Sequence, residues 1–401
     1  MNHWKSLLFI LSLCGGQACA QLEPKQALLN EEKTSIVLGN QRMEEYLPLL
    51  KDKKVAFVGN HSSKIGATHI VDSLLSIGVE LVGVFSPEHG FRGEADAGEK
   101  VNSEVDKKTQ LSITSLYGSN KKPTVEQLKG VDIILFDIQD VGARFYTYIS
   151  TLHYVMEAAA EQNIPVIVLD RPNPNGHYVD GPVLQEAFNS FVGLHPIPVV
   201  HGMTIGEYAQ MTNGQAWLNK GVRCDLKVIS CLNYDHKKKY VVAVPPSPNL
   251  PNMKAIYLYP SLCFFEGTVV SVGRGTKKPF QQIGHPALDF EYSFTPKSSF
   301  GAKHPKLEQQ LCKGVDFSTF TLEELGSRTK LDLSYLLAFY EKHPSKDGFF
   351  TNFFNLLAGN NRLQQNIVAG KSEKLIRAEW EEELENFKAI RKQYLLYDDF
   401  E

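Results

Sequence analysis

The first half of the chain alternates short apolar runs with segments of helical periodicity. The apolar runs are rich in β-branched and aromatic residues and predict strands at 55–60, 79–85, 131–137, 164–170, 197–200 and 226–229. The segments between them predict helices at 69–77, 124–128 and 147–162. Thr204 and Glu207 form a capping box, which predicts the start of a further helix. This order of strands and helices is typical of a doubly wound parallel sheet, an α/β fold.

The second half of the chain has a different pattern. It follows a stiff proline-rich segment, PPSPNLP at 245–251, which cannot be helical. Beyond it we predict a strand at 264–273, helices at 307–312 and 371–394, and a helical stretch at 321–340 that is broken around Gly326. A chain of 401 residues is long enough for two domains. We therefore expect an α/β domain over 21–252 and a smaller α+β subdomain over 253–401.

The first 20 residues have the features of a signal peptide. Lys5 precedes an apolar stretch at 7–13, and Ala18-Cys19-Ala20 forms a cleavage motif. This predicts an exported protein, periplasmic or secreted, with a lipid anchor on Cys19 as the alternative. No later stretch has the roughly 18 apolar residues of an integral membrane span. The formal net charge of −3 gives no electrostatic argument for binding of nucleic acid.

Polar and charged side chains follow the predicted strands at the points where the strands end. These residues are Asn60, His61, Glu88, His89, Asp137, Asp140, Asp170, Arg171, Asn173 and His201. Because the carboxyl ends of parallel strands meet at one edge of a sheet, we expect the side chains to line a shared crevice there. The alternative is that they cap helices and form turns, which Asn and Asp also favour.

The loop that follows the second predicted strand, SPEHGFRGEADAG at 86–98, is dense in titratable groups. Glu88 is the candidate general acid, because partial desolvation at a strand end favours the protonated form of a carboxyl group. His89 is expected to orient Glu88 or to bind substrate, and Arg92 is a further substrate-binding candidate. Alternatively, Glu88 is the ion-pair partner of Arg92, and His89 is an ordinary loop residue.

A second dense stretch, FDIQDVGARFYTY at 136–148, combines carboxylates, an arginine and aromatic rings. Arg144 is suited to a bidentate contact with a carboxylate, and the ring of Tyr146 is suited to stacking on a sugar. Together with Asp137 and Asp140, these residues favour binding of a sugar that itself carries a carboxylate. Alternatively, Tyr146 packs in the core and Arg144 pairs with Asp140.

The motifs of several common enzyme classes are absent. No G-x-G-x-x-G follows the first strand and no G-x-S-x-G occurs, so a dinucleotide enzyme and a serine hydrolase are unsupported. Glu266, and Arg274 within SVGRGT, are instead ligand-facing candidates in the second half. We expect no cofactor and no metal. The alternative is a metal site formed from His61, Glu88, His89, Asp137 and His201.

Long motifs occur in one order along the chain, namely SPEHGFRG, FDIQDVGARFYTY, LDRPNPNG, GPVL, VGLHPIPVVHGMTIGE, PPSPNLP and FFEGTVVSVGRGT. From about residue 55 to the C-terminus they resemble the NamZ family of exo-β-N-acetylmuramidases. The resemblance implies a Rossmann-like domain, a smaller C-terminal subdomain and a cleft between them. It also implies release of N-acetylmuramic acid from the non-reducing ends of peptidoglycan fragments, with Glu88 in SPEHG as the catalytic glutamate.

Glycosidases usually need a second carboxylate besides the general acid. We expect Asp140 in that role first and Asp137 next. Arg144 or Arg274 would then hold the lactyl carboxylate of a muramyl saccharide. Two other classes of protein stay open at this point, a non-catalytic cell-wall-binding module and a metal-dependent hydrolase.

Overall fold

The computed structural model describes residues 35–88, 90–92 and 104–401, so the predicted signal peptide at 1–20 lies outside the described residues. The β-strands are β1 (Val55–Gly59), β2 (Lys64–Ile65), β3 (Thr68–His69), β4 (Leu81–Ser86), β5 (Glu104–Val105), β6 (Ser112–Ser115), β7 (Ile133–Asp137), β8 (Val166–Leu169), β9 (Leu226–Ile229), β10 (Gln282–His285), β11 (Tyr292–Phe294) and β12 (Cys312–Asp316). The α-helices are α1 (Met43–Leu50), α2 (Ile70–Ser76), α3 (Tyr148–Glu161), α4 (Ile205–Gly214), α5 (Met253–Leu262), α6 (Leu322–Gly326), α7 (Ser334–Lys342), α8 (Phe353–Ala358), α9 (Arg362–Val368), α10 (Glu373–Ala378) and α11 (Glu381–Arg391).

The main sheet has the strand order β5-β6-β4-β1-β7-β8-β9 within the described part of the chain. β5 pairs antiparallel with β6 at one edge, and all other neighbouring strands are parallel. From β1 the chain adds β4 and β6 on one side, and then β7, β8 and β9 on the other. This is the order of a Rossmann-like sheet, with its switch point between β1 and β7. The prediction of a doubly wound α/β fold is confirmed.

The side chains of β1 show why helices cover both faces of this sheet. Val55 and Phe57 belong to one core, which also contains the apolar sides of α1 and α2. Ala56 and Val58 belong to the opposite core, with α3 and α4. Because successive side chains of a strand point to opposite faces, a strand buried on both sides must be apolar at every position.

The second half combines helices α5 to α11 with a small antiparallel sheet in the order β10-β12-β11. It shares the larger core with the first half. The ring of Phe145 packs edge-on against Phe264, with ring centroids 5.9 Å apart. The predicted α+β character of this half is confirmed. None of the helices in the described ranges combines the length and the apolarity that crossing a membrane requires.

Several predicted elements differ in the structure. Segment 307–312 is not a helix, because Leu307 and Gln309 have left-handed φ angles of 60°. Segment 264–273 begins in a 3-10 helix, Cys263–Gly267, rather than a strand. Segment 124–128 is a turn, and 197–200 forms bridges at Val200 instead of a strand. The predicted helix at 371–394 divides into α10 and α11.

The crevice at the switch point is filled by the chain's own polar side chains. Arg171 follows β8 and forms a bidentate ion pair with Asp137, with distances of 2.5 Å for Nε–Oδ1 and 2.9 Å for Nη2–Oδ2. Asn40 donates a hydrogen bond to the same carboxylate, and the Ser63 hydroxyl donates one to the Asp137 carbonyl. Both charged side chains are buried. We therefore correct the assignment of Asp137 and Arg171 to substrate binding, because they satisfy each other inside the protein.

Replacing Asp137 with Ala should lower the free energy of unfolding by about 3–5 kcal/mol, because it leaves the Arg171 charge buried without its partner. Urea denaturation followed by circular dichroism measures this loss. The matched control is Glu45→Ala, which removes the exposed Arg42–Glu45 pair and should cost about 0–1 kcal/mol. Equal losses in the two variants would contradict the buried position of the Asp137–Arg171 pair.

Candidate active site

A cavity of about 630 Å³ lies where the two halves of the protein meet. The first half lines it with Glu88, Tyr117, Phe145, Thr147, Phe191 and Val192. The second half lines it with Tyr259, Cys263, Glu266, Arg274, the loop 301–306, Phe353 and Leu357. The cavity lies beyond the carboxyl end of β4, at the edge where open α/β sheets bind ligands. Of the residues singled out from the sequence, it brings together Glu88, Glu266 and Arg274.

Glu88 lies in the turn that follows β4 and Pro87, and its side chain is partly buried at the cavity wall. The hydroxyl of Tyr117 donates a hydrogen bond to the Glu88 carboxylate. Burial and the negative charge of Glu88 together raise the pKa of Tyr117 above its usual value. The pKa of Tyr148 is likewise raised, first by burial and also by the charge of Glu88. The carboxyl group of Glu88 therefore lies beside two phenols that remain protonated donors.

Glu266 and Arg274 form a bidentate ion pair in the wall of the same cavity. The Nε–Oε1 distance is 2.9 Å and the Nη2–Oε2 distance is 2.8 Å. The two side chains keep 24% and 23% of their surface exposed, so this pair is accessible from the cavity. Burial acts to raise the pKa of Glu266, but the charges of Arg274 and Lys306 outweigh it and hold this pKa below its usual value. Glu266 is therefore an ionised carboxylate in the cavity.

Lys306 fixes the backbone that carries Glu266. Its Nζ donates hydrogen bonds to the carbonyl oxygens of Phe265 at 3.2 Å, Glu266 at 3.2 Å and Thr268 at 2.5 Å. These carbonyls lie at the end of the 3-10 helix Cys263–Gly267, where the last carbonyl groups have no N–H donors within the helix. Burial lowers the pKa of Lys306. The ammonium group therefore ties the cavity loop 301–306 to the turn beneath Glu266.

Asp140 and His201 are buried together outside the cavity lining. The Gly142 N–H donates a hydrogen bond of 2.6 Å to Asp140 Oδ2, and the His201 Nε2 lies 3.9 Å from the same oxygen. Burial raises the pKa of Asp140 to about 7 and lowers the pKa of His201 to about 3. We therefore correct the expectation that Asp140 is the second catalytic group and that His201 binds substrate, since neither side chain reaches the cavity.

Arg144 is also enclosed by the protein. Its guanidinium donates hydrogen bonds to the carbonyl oxygens of Pro182 at 2.8 Å, Ile197 at 2.7 Å and Leu357 at 2.8 Å. Burial lowers the pKa of Arg144 to about 9. The guanidinium therefore binds these carbonyl oxygens rather than Asp140. Because the side chain is 0% exposed, it does not face a substrate carboxylate, and its assignment to substrate binding is corrected.

Tyr146 and His61 fasten the proline-rich segment 245–251 to the sheet edge. The buried Tyr146 hydroxyl donates to the Pro246 carbonyl at 2.9 Å, and the His61 ring nitrogen Nε2 contacts the Pro245 carbonyl at 2.8 Å. Neither residue lines the cavity. The two residues therefore hold the connection between the halves. The assignment of the buried Tyr146 to substrate binding is corrected, and that of the partly exposed His61 stays a prediction.

The remaining candidates also have structural partners. Arg92 forms ion pairs with Asp106 at 2.7 Å and Asp72 at 3.5 Å, not with Glu88. Asn60 accepts hydrogen bonds from Ser62 through its side-chain oxygen, and its side chain is 0% exposed.

The Asn173 side-chain amide donates to the Met203 carbonyl at 2.8 Å. Asn60 and Asn173 are buried and do not line the cavity, so their assignment to substrate binding is corrected. Arg92 does not line the cavity either, but its side chain keeps 30% of its surface exposed, and its assignment to substrate binding stays a prediction. His89 lies outside the described residues.

Sequence reasoning missed Tyr117, Phe191 and Lys306. Tyr117 follows β6, whose sequence Ser-Ile-Thr-Ser does not by itself predict a strand because it has a single large apolar residue. Leu111 and Ile113, which lie two positions apart with a polar residue between them, are the available signal. Phe191 and Lys306 lie in loops without a motif, and no sequence signal distinguishes them.

The alternative metal site is not assembled by the described residues. Within 35–88, 90–92 and 104–401, no group of three His, Cys, Asp or Glu side chains is arranged to hold a metal ion. Asp137 and His201 instead belong to two separate buried networks.

Asp140→Asn should change how stability depends on pH. The pKa of Asp140 is raised to about 7 in the folded protein, so its stabilising contribution is fully present below the unfolded pKa of about 4 and is lost as the pH rises to about 7. The variant lacks this titration. Its stability relative to the wild type should therefore increase between pH 4 and pH 7 in urea denaturation. A stability difference that is the same at every pH would contradict the buried, titrating carboxyl group.

Comparisons with known proteins agree with this architecture. Family models of the exo-β-N-acetylmuramidase NamZ match residues 55–254 with its N-terminal part and residues 257–397 with its C-terminal part. The peptidoglycan β-N-acetylmuramidase NamZ of Bacillus subtilis strain 168 is 37% identical over 411 residues, which cover 96% of this chain and 97% of the relative.

Two crystal structures of DUF1343 family proteins from Bacteroides fragilis NCTC 9343 have the same fold. One matches with a TM-score of 0.85 at 47% identity and covers 91% of this chain and 99% of its own. The other matches with a TM-score of 0.76 at 29% identity and covers 91% of this chain and 100% of its own. With both family models and a full-length relative matched, the chain belongs to the NamZ family of exo-β-N-acetylmuramidases.

Proposed function

We propose that this chain is an exo-acting glycosidase that releases N-acetylmuramic acid from the non-reducing ends of peptidoglycan fragments, with Glu88 as the general acid. The observation that carries the proposal is the cavity shared by Glu88 and the Glu266–Arg274 pair. Family membership supports the glycosidase activity. The predicted signal peptide supports a role in cell-wall turnover outside the cytoplasm.

Glu88 is suited to protonating the oxygen that leaves when the glycosidic bond breaks. It lines the cavity from the sheet edge and is held in place by the hydroxyl of Tyr117. A general acid must lie within hydrogen-bond reach of the leaving oxygen. In this proposal the glycosidic oxygen lies against Glu88 and takes its proton as the bond to the sugar breaks.

Glu266 takes the role of the second carboxylate, in place of Asp140 and Asp137. The ion pair with Arg274 and the nearby charge of Lys306 keep the pKa of Glu266 below its usual value, so Glu266 stays ionised. Two carboxyl groups in different protonation states are what glycoside hydrolysis requires. The negative charge of Glu266 stabilises the positive charge that develops on the sugar ring and orients the water that attacks it.

Arg274 supplies the selectivity for the muramic sugar. Its side chain keeps 23% of its surface exposed, and its buried Nη1 has no hydrogen-bond partner among the described residues. The lactyl group distinguishes N-acetylmuramic acid from N-acetylglucosamine by a carboxylate, which a guanidinium binds well. We therefore assign recognition of this carboxylate to Arg274, since Arg144 is enclosed.

Glu88→Gln should lower kcat for a chromogenic N-acetylmuramide by roughly 10²- to 10⁴-fold, because the amide cannot donate the proton. Binding of the muramide, measured by calorimetry, should remain. The matched control is Glu104→Gln, an exposed carboxylate on the edge strand β5, which should leave turnover unchanged. Full turnover by Glu88→Gln would refute its role.

The same assay separates the two rival functions. A wild-type protein that binds muramides without cleaving them would be a cell-wall-binding module. Turnover that a chelator abolishes and zinc restores would indicate a metal-dependent hydrolase. We expect turnover in both the presence and the absence of the chelator.

Arg274→Ala should reduce the preference for N-acetylmuramides over N-acetylglucosaminides by roughly ten- to a hundredfold, since it removes a charge-assisted contact. The ratio of kcat/KM for the two chromogenic substrates measures the preference. Glu266→Gln serves as the comparison, because it should lower kcat for both substrates and leave their ratio unchanged. A preserved ratio in Arg274→Ala would show that another residue recognises the lactyl carboxylate.

A further inference from the structure

Phe191 lies at the tip of a tight turn whose backbone is closed by two hydrogen bonds. The Ser190 N–H donates to the Gly193 carbonyl at 2.9 Å, and the Gly193 N–H donates to the Ser190 carbonyl at 3.0 Å. The Ser150 hydroxyl of α3 donates to the Phe191 carbonyl at 2.7 Å. The turn is therefore fixed to the first half of the protein, and it presents Phe191 and Val192 to the cavity.

The ring of Phe191 is one side chain away from the general acid. Tyr117, which donates its hydrogen bond to Glu88, packs edge-on against Phe191 with ring centroids 6.3 Å apart. The Lys121 ammonium lies 4.8 Å from the Phe191 ring centroid, and the ring of Tyr154 is nearly parallel to it at 6.2 Å. These contacts hold the orientation of the ring, while the ring still lines the cavity.

The wall that carries this turn is also braced from behind by the enclosed Arg144. The position of a Cβ at Gly193 lies 3.5 Å from Arg144 Cδ and Nε, so the turn packs directly against this side chain. The Arg144 guanidinium donates to the carbonyl of Leu357, which lines the cavity from the second half. Arg144 therefore joins two parts of the cavity wall, which gives a buried arginine a role in shaping the site.

We infer that Phe191 forms the subsite for the sugar ring on the leaving-group side of the scissile bond, an inference that rests on the proposed function. A general acid contacts the oxygen between the two sugars, and only Tyr117 separates the Phe191 ring from Glu88 in the lining of the same cavity. The apolar C–H face of an N-acetylhexosamine packs on an aromatic ring in the way that other apolar groups do. Pockets hold ligands by such apolar walls together with a few polar groups.

The test compares two substrates that share the muramic sugar and differ in the leaving group. One is the disaccharide of N-acetylmuramic acid linked to N-acetylglucosamine, and the other is the methyl glycoside of N-acetylmuramic acid. Phe191→Ala should raise KM for the disaccharide roughly three- to tenfold and leave kinetics with the methyl glycoside within about twofold. Phe191→Trp keeps an aromatic face and should retain the wild-type KM for the disaccharide.

Leu311→Ala is the matched control, because Leu311 is 57% exposed and does not line the cavity. It should leave both substrates unaffected. Equal losses with the two substrates in Phe191→Ala would mean that the ring only supports Tyr117 and Glu88, and would overturn the subsite. Unchanged KM for the disaccharide would overturn it as well. If the wild-type protein cleaves neither substrate, the proposed function fails instead, so the two failures are distinguishable.

Discussion

The buried ion pair between Asp137 and Arg171 occupies part of the carboxyl edge of the main sheet with the chain's own side chains. The pair joins the carboxyl ends of β7 and β8, next to the switch point between β1 and β7, where Rossmann-like sheets usually open into a binding crevice. Asn40 and Ser63 also occupy this crevice, since both donate hydrogen bonds to Asp137. With this crevice occupied by the chain, the cavity lies further along the same edge, beyond β4, where the second half of the protein closes it.

Burial distinguishes Arg144, which the protein encloses, from Arg274, which lines the cavity. Arg144 is fully enclosed and satisfied by three carbonyl oxygens, so it braces the cavity wall from behind. Arg274 pairs with Glu266 in the cavity wall itself, and both side chains keep about a quarter of their surface exposed. One arginine is therefore enclosed and the other accessible from the cavity, because carbonyl oxygens surround the guanidinium of Arg144 whereas a cavity-lining carboxylate pairs with that of Arg274.

The fold could be predicted from the sequence because parallel strands buried on both faces are continuous apolar runs, as in β1 and β7. The position of Glu88 just after a predicted strand also predicted that it would lie at the edge of the sheet, where it lines the cavity. The second carboxylate of the proposed mechanism could not be predicted in this way, because a position after a strand does not tell whether a side chain points into the protein or into a cavity. Asp140 points inward, whereas Glu266 lies in a 3-10 helix that the sequence pattern presented as a strand.

The most direct measurement is a crystal structure of the Glu88→Gln variant with the disaccharide of N-acetylmuramic acid and N-acetylglucosamine bound. The account predicts the muramic sugar in the cavity, with the glycosidic oxygen at hydrogen-bond distance from the side chain at position 88. It also predicts the lactyl carboxylate at the guanidinium of Arg274. A disaccharide bound outside this cavity, or one whose glycosidic oxygen is out of reach of residue 88, would contradict the account.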